Sequence, residues 1–159
     1  MKNKVKAIPS GFHTLTPHLV VKGAGQAIEF YKRAFGAEEV GRLSARDGDS
    51  VLHVDLKIGD SHVFLADEMR EMGCHGPESI GGTPVTLHMY VEDVDAAFGK
   101  AVSAGAKVKR PLSDMFWGDR YGVLMDPFGH SWSMASHRED VTPAEIRRRA
   151  QTACTGAGA

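Results

Sequence analysis

Two tripeptides in this chain set a hydroxyl and an imidazole two residues apart: Thr16-Pro17-His18 and Thr86-Leu87-His88, separated by an offset of 70 residues. Side chains two apart in an extended segment share a face, so each threonine would stand beside its histidine. A third histidine, His53, has the same spacing from a carboxylate, Asp55. Imidazoles in such company can ligate a divalent metal, shuttle a proton or orient a bound molecule. His18 and His88 with Asp55 or Glu68 as a third ligand would make a two-histidine metal site. As neutral imidazoles they would instead hydrogen-bond their neighbours or a ligand. His53 reads either as a rim or core histidine or as a general base, a role that needs a partner and a substrate geometry. The densest signal is Met115-Phe116-Trp117-Gly118-Asp119-Arg120-Tyr121. Its aromatics suit a pocket wall around a flat or apolar ligand, or a dimer contact. Arg120 would anchor a polar group there or hold the loop through an ion pair with Asp119. His75 and Cys74 share a Gly-rich stretch and carry no evident chemistry, and His130 sits in a turn. Neither a nucleophile elbow nor a phosphate loop nor a dinucleotide fingerprint is present. The glycines of Lys22-Gly-Ala-Gly-Gln26 have neither the spacing nor the context.

The elements that position these residues come from a repeat. The offset that aligns Thr16–Val21 with Thr86–Val91 also aligns Ile58-Gly-Asp-Ser61 with Phe128-Gly-His-Ser131. Residues 13–68 and 84–137 therefore read as two copies of one strand–helix–strands unit. Ala27, Ile28, Tyr31, Ala34 and Phe35 follow helical spacing in the first copy, as do Val94, Ala97, Phe98, Ala101 and Val102 in the second. Asp93 and Asp95 lie where they favour the second helix's dipole. Strands are predicted at 40–43, 51–58 and 61–66, and again at 108–110, 121–125 and 131–136. Asp47-Gly48, Gly59-Asp60 and Asp126–Gly129 are the turns. Residues 69–83 read as a linker. Thr142-Pro-Ala-Glu145 is a capping box opening a terminal helix over 142–150, and 151–159 are too small and polar to be expected to stay ordered.

The order of strands and helices reads as α+β, and 159 residues with 42% hydrophobic and 25% charged suit a soluble globular chain with room for one ordinary domain or two half-size modules sharing a core. A formal charge of −1 leaves no footprint for nucleic acid or an anionic membrane. Apolar stretches are strand-sized, which argues against a membrane span, and the basic start Met1–Pro9 precedes no apolar run of the kind a signal peptide needs. Two cysteines without paired spacing suggest a reduced, cytoplasmic protein.

A tandem βαβββ repeat of this size resembles the vicinal oxygen chelate superfamily of glyoxalases, bleomycin-resistance proteins, fosfomycin-resistance enzymes and extradiol dioxygenases. The likeness is carried by Ala27–Gly36, Val91–Asp95 and Asp126–His130. Thr16–Val21, Leu65–Glu68 and Asp114–Gly122 are similar to its PhnB-like branch. The resemblance implies a curved, cup-shaped mixed sheet with helices outside, a homodimer, and in metal-dependent members a His or Glu on the first and last strand of each module. Counted from the landmarks, those positions are Thr16, Thr86, Ser133 and Val63, or Leu65 if the alignment slips. None is a preferred divalent-metal ligand. No cofactor is therefore expected, a metal displaced to His18 and His88 being the lesser possibility. Asp67-Glu68 at a strand end read by default as a solvated turn or an N-terminal cap, and the branch likeness instead sets them at the pocket mouth.

Parity then fills the implied cup. Leu52, Val54 and Leu56 form an apolar, helix-facing set, which sends Val51, His53 and Asp55 to the cup side. Trp132 and Met134 face the helices, leaving Ser131, Ser133 and Ala135 inside. His62 falls on the helix-facing side. The chain is thus expected to bind an unidentified small molecule without metal, through Thr16, His18, His53, Asp55, Glu68, Thr86, His88, Phe116, Trp117, Arg120, Tyr121 and Ser133. The alternative is a lyase, isomerase, thiol transferase or dioxygenase that uses a displaced metal site or a histidine acid/base. A Gly-rich strand–helix turn of the kind that binds S-adenosylmethionine is missing.

Overall fold

The computed structural model describes residues 5–155. Residues 1–4 of the basic start and residues 156–159 of the tail, on which two of the expectations above partly fall, lie outside that range. The chain divides into two compact units, one reaching to Thr83 and taking in Pro127–Gly129, the other made of Pro84–Asp126 and the chain from His130.

In the first unit, β1 (His18–Val21) leads into α1 (Ala24–Phe35), followed by β2 (Glu38–Ser44), β3 (Val51–Ile58), β4 (Ser61–Asp67) and a short α2 (Pro77–Ile80). The sheet order is β1-β4-β3-β2, with β1 parallel to β4 and the other pairs antiparallel. Ala24, Ala27, Ile28, Phe30, Tyr31 and Ala34 form the buried stripe of α1. Against it lie Val21, Val54, Leu56 and Leu65, all fully buried. Each large side chain so buried contributes about 1.5–3 kcal/mol. Phe128 belongs to this core, packing its ring 6.1 Å from that of Phe30.

The second unit repeats the plan with β5 (Thr86–Tyr90), α3 (Val94–Ala104), β6 (Lys107–Asp114), β7 (Asp119–Met125), β8 (Ser131–His137) and α4 (Pro143–Thr155). Its order, β5-β8-β7-β6, matches the first. The Asp93 carboxylate caps α3 by accepting from Ala96 N at 3.0 Å, as its position before the apolar run implies. The α+β class and the two βαβββ modules agree with the sequence reading.

Several expectations do not survive. The match of Ile58-Gly-Asp-Ser61 with Phe128-Gly-His-Ser131 is not a structural equivalence. Ile58 pairs directly with Ser61 across a two-residue turn, whereas Met125 pairs with Ser131 across a longer one. The last strands consequently align at an offset of 69: His18 stands opposite Phe64, and His88 opposite Ser133. The first-module counterpart of Ser133 is therefore Phe64, not Val63 or Leu65. Those two oppose Leu56 and Val54 and are buried in the core. His62 opposes Lys57 and lies on the face opposite the helix, because directly paired residues of neighbouring strands share a side.

The parity of β3 holds for Val54 and Leu56 but reverses at its start. A register shift between Leu43 and Ser44 pairs Ser44 with Val51, so Val51 is buried and Leu52 is 38% exposed. The 69–83 stretch contains a 3₁₀ turn over Arg70–Met72 besides α2. The terminal helix continues to Thr155 instead of ending near residue 150, so 151–155 are helical. The expected loop at 115–121 is shorter than predicted: Met115–Gly118 form the turn, and 119–121 already belong to β7.

Candidate functional site

Each sheet has one face against its helix and one open face, and the chemistry gathers on the open faces. In the first unit that face carries His18, His53, Asp55, His62 and Phe64. Asp55 Oδ1 lies 2.8 Å from His62 Nδ1. Phe12, from the segment before β1, stacks on the His62 ring at 4.0 Å. His53 meets Phe64 at 4.7 Å and His18 at 5.9 Å, edge to face in both cases. Although His18 is exposed overall, its imidazole pKa is pushed below the ordinary value, first by partial desolvation and then by the neighbouring His53. Thr16 precedes β1 and is half-buried.

Glu68 is used elsewhere. Its carboxylate accepts from Arg70 Nε at 2.5 Å and Gly76 N at 2.8 Å, closing residues 69–76 into a loop. The Ser79 hydroxyl, Arg70 and the Gly76 amide lower its pKa to about 2. It borders a cavity of about 1060 Å³ at the N-terminal end of α1, where Lys22, Gln26, Asp49 and Glu78 also line the wall.

In the second unit the open face is continuous along three strands. Thr86 Oγ1 donates to Ser131 Oγ at 3.0 Å, and His88 Nδ1 lies 2.7 Å from Ser133 Oγ. Tyr121 stacks on His88 at 6.0 Å, and Tyr90 approaches the same imidazole edge-on at 4.6 Å. Trp117 meets Tyr121 at 5.8 Å, with Phe116 at 4.9 Å from Trp117. Phe116, Trp117, Tyr121, His88 and Tyr90 thus form one chain of ring contacts.

At the end of this face stands a group that the sequence reading did not assemble. Asp119, only 5% exposed, accepts from Tyr90 Oη at 2.9 Å, Trp117 Nε1 at 3.1 Å and His137 Nδ1 at 2.7 Å. His137 Nε2 lies 2.9 Å from Asp140 Oδ1. Burial alone would raise the Asp119 pKa, but bonds from His137, Tyr90 and Trp117 outweigh it and hold the carboxyl below its usual range. Asp119 and then Asp140 raise the His137 imidazole, and Asp119 also raises the Tyr90 phenol. A cavity of about 420 Å³ opens here, lined by Tyr90, Trp117, Asp119, His137, Val141 and Ile146 among others. The signal was the two-residue alternation of β8, which carries Ser131, Ser133 and Ala135 on to His137; the predicted strand stopped at Ser136.

Arg120 faces the other way. Its guanidinium is taken up by Asp95, at 2.8–3.0 Å, and by Asp114 at 3.3 Å, tying β7 to the first turn of α3.

The donor set does not fit the divalent metal that the fold resemblance implies. Thr86 and Ser133 spend their hydroxyls on Ser131 and His88, and the first-module last-strand position is Phe64, which has no donor atom. Among the described residues, no three His, Cys, Asp or Glu side chains are grouped so as to hold a metal ion.

Comparison with known proteins agrees with the fold. The model of the Glyoxalase/Bleomycin resistance protein/Dioxygenase superfamily matches residues 11–134. An uncharacterized protein of Mycobacterium tuberculosis, Rv0887c, is 49% identical over 137 residues, covering 84% of this chain and 79% of its own. The structure of the Arabidopsis thaliana gene product At5g48480 superposes with a TM-score of 0.63 at 31% identity, over 78% of this chain and 98% of that one. TioX from Micromonospora sp. ML1 superposes with a TM-score of 0.64 at 28% identity, over 79% and 98% of the two chains.

Proposed function

Because the chain belongs to the glyoxalase/bleomycin resistance protein/dioxygenase superfamily, we propose that it is a small-molecule-binding protein that works without the superfamily's divalent metal. The observation that carries this reading is the identity of the residues where metal ligands would stand: Thr16, Thr86, Ser133 and Phe64. Hydroxyls and a phenyl ring there suit hydrogen bonding and stacking, not divalent coordination. The ring series Phe116, Trp117, Tyr121, His88 and Tyr90 supplies flat apolar contact, while the His88–Ser133 and Thr86–Ser131 pairs supply donors and acceptors. Mostly apolar walls with a few placed polar groups are the usual make-up of a ligand site. His18, His53 and Asp55 play the corresponding part on the first sheet. Glu68 and Arg120 serve the framework in this reading, as their ion pairs with Arg70, Asp95 and Asp114 indicate.

A second reading is favoured by the two imidazole–carboxylate pairs, Asp55–His62 and Asp119–His137. A carboxylate that fixes one imidazole nitrogen leaves the other for proton transfer, in His137 once the exposed Asp140 gives up Nε2, so metal-free acid/base chemistry would follow from the same scaffold. A homodimer in a reduced, cytoplasmic setting completes the proposal. The exposed edge strands β2 and β6, with Val40, Leu43 and Val108 uncovered, are the surfaces a second copy would protect.

The test is a thermal-shift screen of small aromatic and polar compounds against the wild type, Tyr121→Ala and His88→Ala. A hit whose stabilisation disappears in both variants supports the reading. Hits that are indifferent to both variants, or that need added metal, overturn it.

A further inference from the structure

The end of the second unit's open face joins three features: a buried carboxylate that grips one nitrogen of an imidazole, an adjoining cavity, and a solvent-exposed carboxylate on the imidazole's other nitrogen. Asp119 fixes the His137 ring through Nδ1 from inside the unit. Nε2 is thereby turned outward, where Asp140 meets it at 2.9 Å. Carboxylate oxygens face both ring nitrogens, an arrangement that the doubly protonated imidazolium satisfies by donating to each.

The two carboxylates are not equivalent. The Asp119 side chain is 6% exposed, whereas that of Asp140 is 104% exposed. An ion pair made in water is weak and easily exchanged, while one buried on the carboxylate side is not. Asp140 therefore sits as a loosely held carboxylate on a rigidly oriented cationic donor. Beside it, Trp117, Val141 and Ile146 line a cavity of about 420 Å³, within the range of small-ligand pockets.

We propose that this cavity is a binding site for a small organic carboxylate with an apolar body, whose carboxylate displaces Asp140 from His137 Nε2. The exchange substitutes one carboxylate for another, so the charge facing the imidazolium is unchanged and Asp119 remains paired. Thr142, on the cavity wall, is the N-cap of α4, and that end of a helix dipole favours negative charge. The apolar body rests against Trp117, Val141 and Ile146. The inference rests on reading the second unit's open face as a ligand surface, and it names the class of ligand that face selects.

The test uses the full chain at neutral pH with three phenyl-bearing probes of similar size, benzoate, benzamide and benzylammonium. Calorimetry measures affinity, and NMR follows the His137 imidazole nitrogens. Benzoate should bind and shift His137, and benzamide should bind about tenfold more weakly because it loses a charge-assisted bond. Asp140→Asn should strengthen benzoate by about threefold by weakening the competitor, and His137→Gln should abolish the preference for benzoate over benzamide. Glutamine can still donate to Asp119, and a single cooperative melting transition would confirm that this variant is folded. Equal affinity for benzoate and benzamide overturns the proposal, as does an Asp140→Asn variant that binds benzoate no better. Preference for benzylammonium also overturns it and marks the two aspartates as a cation site. Benzoate binding at His137 with no perturbation of Tyr121 or His88 upholds this inference while removing support from the wider reading. A neutral compound bound at Tyr121, with no carboxylate at His137, does the reverse.

Discussion

Asp67 and Ser136 do the same work in the two units. Each lies on the last strand of its sheet and reaches up to the first turn of the helix that follows the parallel neighbour. Asp67 Oδ1 accepts from Gly23 N at 3.1 Å and Ala24 N at 2.7 Å, while Ser136 Oγ accepts from Val94 N at 2.9 Å. Their separation of 69 residues is the offset of the last strands and not that of the first. The first helix thus has no capping side chain of its own at Gly23 and borrows one from β4.

Asp67 also accepts from Val51 N at 2.8 Å through its other oxygen, so it holds the starts of both α1 and β3. Asp67→Ala should cost about 2–3 kcal/mol, a helix cap plus an amide left without its partner. Urea unfolding at neutral pH measures this. A loss below about 0.5 kcal/mol would mean that water replaces the carboxylate freely.

Gly122 lies on the helix-facing side of β7, opposite Met134. A β-carbon placed there would stand 2.7 Å from Phe98 Cε2 and 3.0 Å from Leu112 Cδ2. Gly122→Ala should therefore destabilise the second unit by about 1–3 kcal/mol through overpacking. Pairing it with Phe98→Leu should recover part of that loss, a non-additivity that a double-mutant cycle detects.

The Asp119–His137 pair gives stability a definite pH profile. His137 has a raised pKa when folded, so its contribution is complete below the unfolded value of about 6.5 and fades as pH climbs through the folded one. Asp119 has a lowered pKa, so its contribution is present above about 3.9 and fades as pH falls through the folded value. The groups facing the imidazole are Asp119 and Asp140, with Tyr90 sharing Asp119. The stability difference between wild type and His137→Gln should be greatest between about pH 4 and 6.5 and shrink on either side. A difference that is flat from pH 4 to 9 would show that the pair is not coupled to folding.

Purified, untagged protein should contain substoichiometric metal. Titration with nickel, zinc, manganese or iron should leave the melting temperature of the wild type and of the His18→Ala/His88→Ala double variant alike, and chelator should not change it. A stoichiometric metal lost in the double variant would overturn the metal-free reading and point to catalysis by a Lewis acid.

The repeat, the order of elements in each module and the class of the fold were legible because they rest on local patterns. Helical spacing in Ala27–Phe35, the Asp93 cap and the Thr142 capping box act within a few residues of themselves. The threonines and serine at the positions where the family resemblance implies metal ligands were legible too, since they are counted from local landmarks. Which side chains share a face was not always so. A strand alternates with period two, so one residue of slip inverts every assignment along it. The two-residue turn at Gly59-Asp60 put Phe64 and His62 on the open face in place of Val63, and the register shift at Leu43 turned Val51 inward. The Asp119 cluster lay further beyond reach. Its members come from β5, β7, β8 and the segment before α4, and only strand pairing brings residues 90, 119, 137 and 140 within hydrogen-bonding distance. The sequence by itself determined the architecture and the hydroxyl side chains at three of the four positions that the resemblance names, Thr16, Thr86 and Ser133. The tertiary structure decided the identity of the polar site, because a buried carboxylate draws its partners from whatever the sheet register sets beside it.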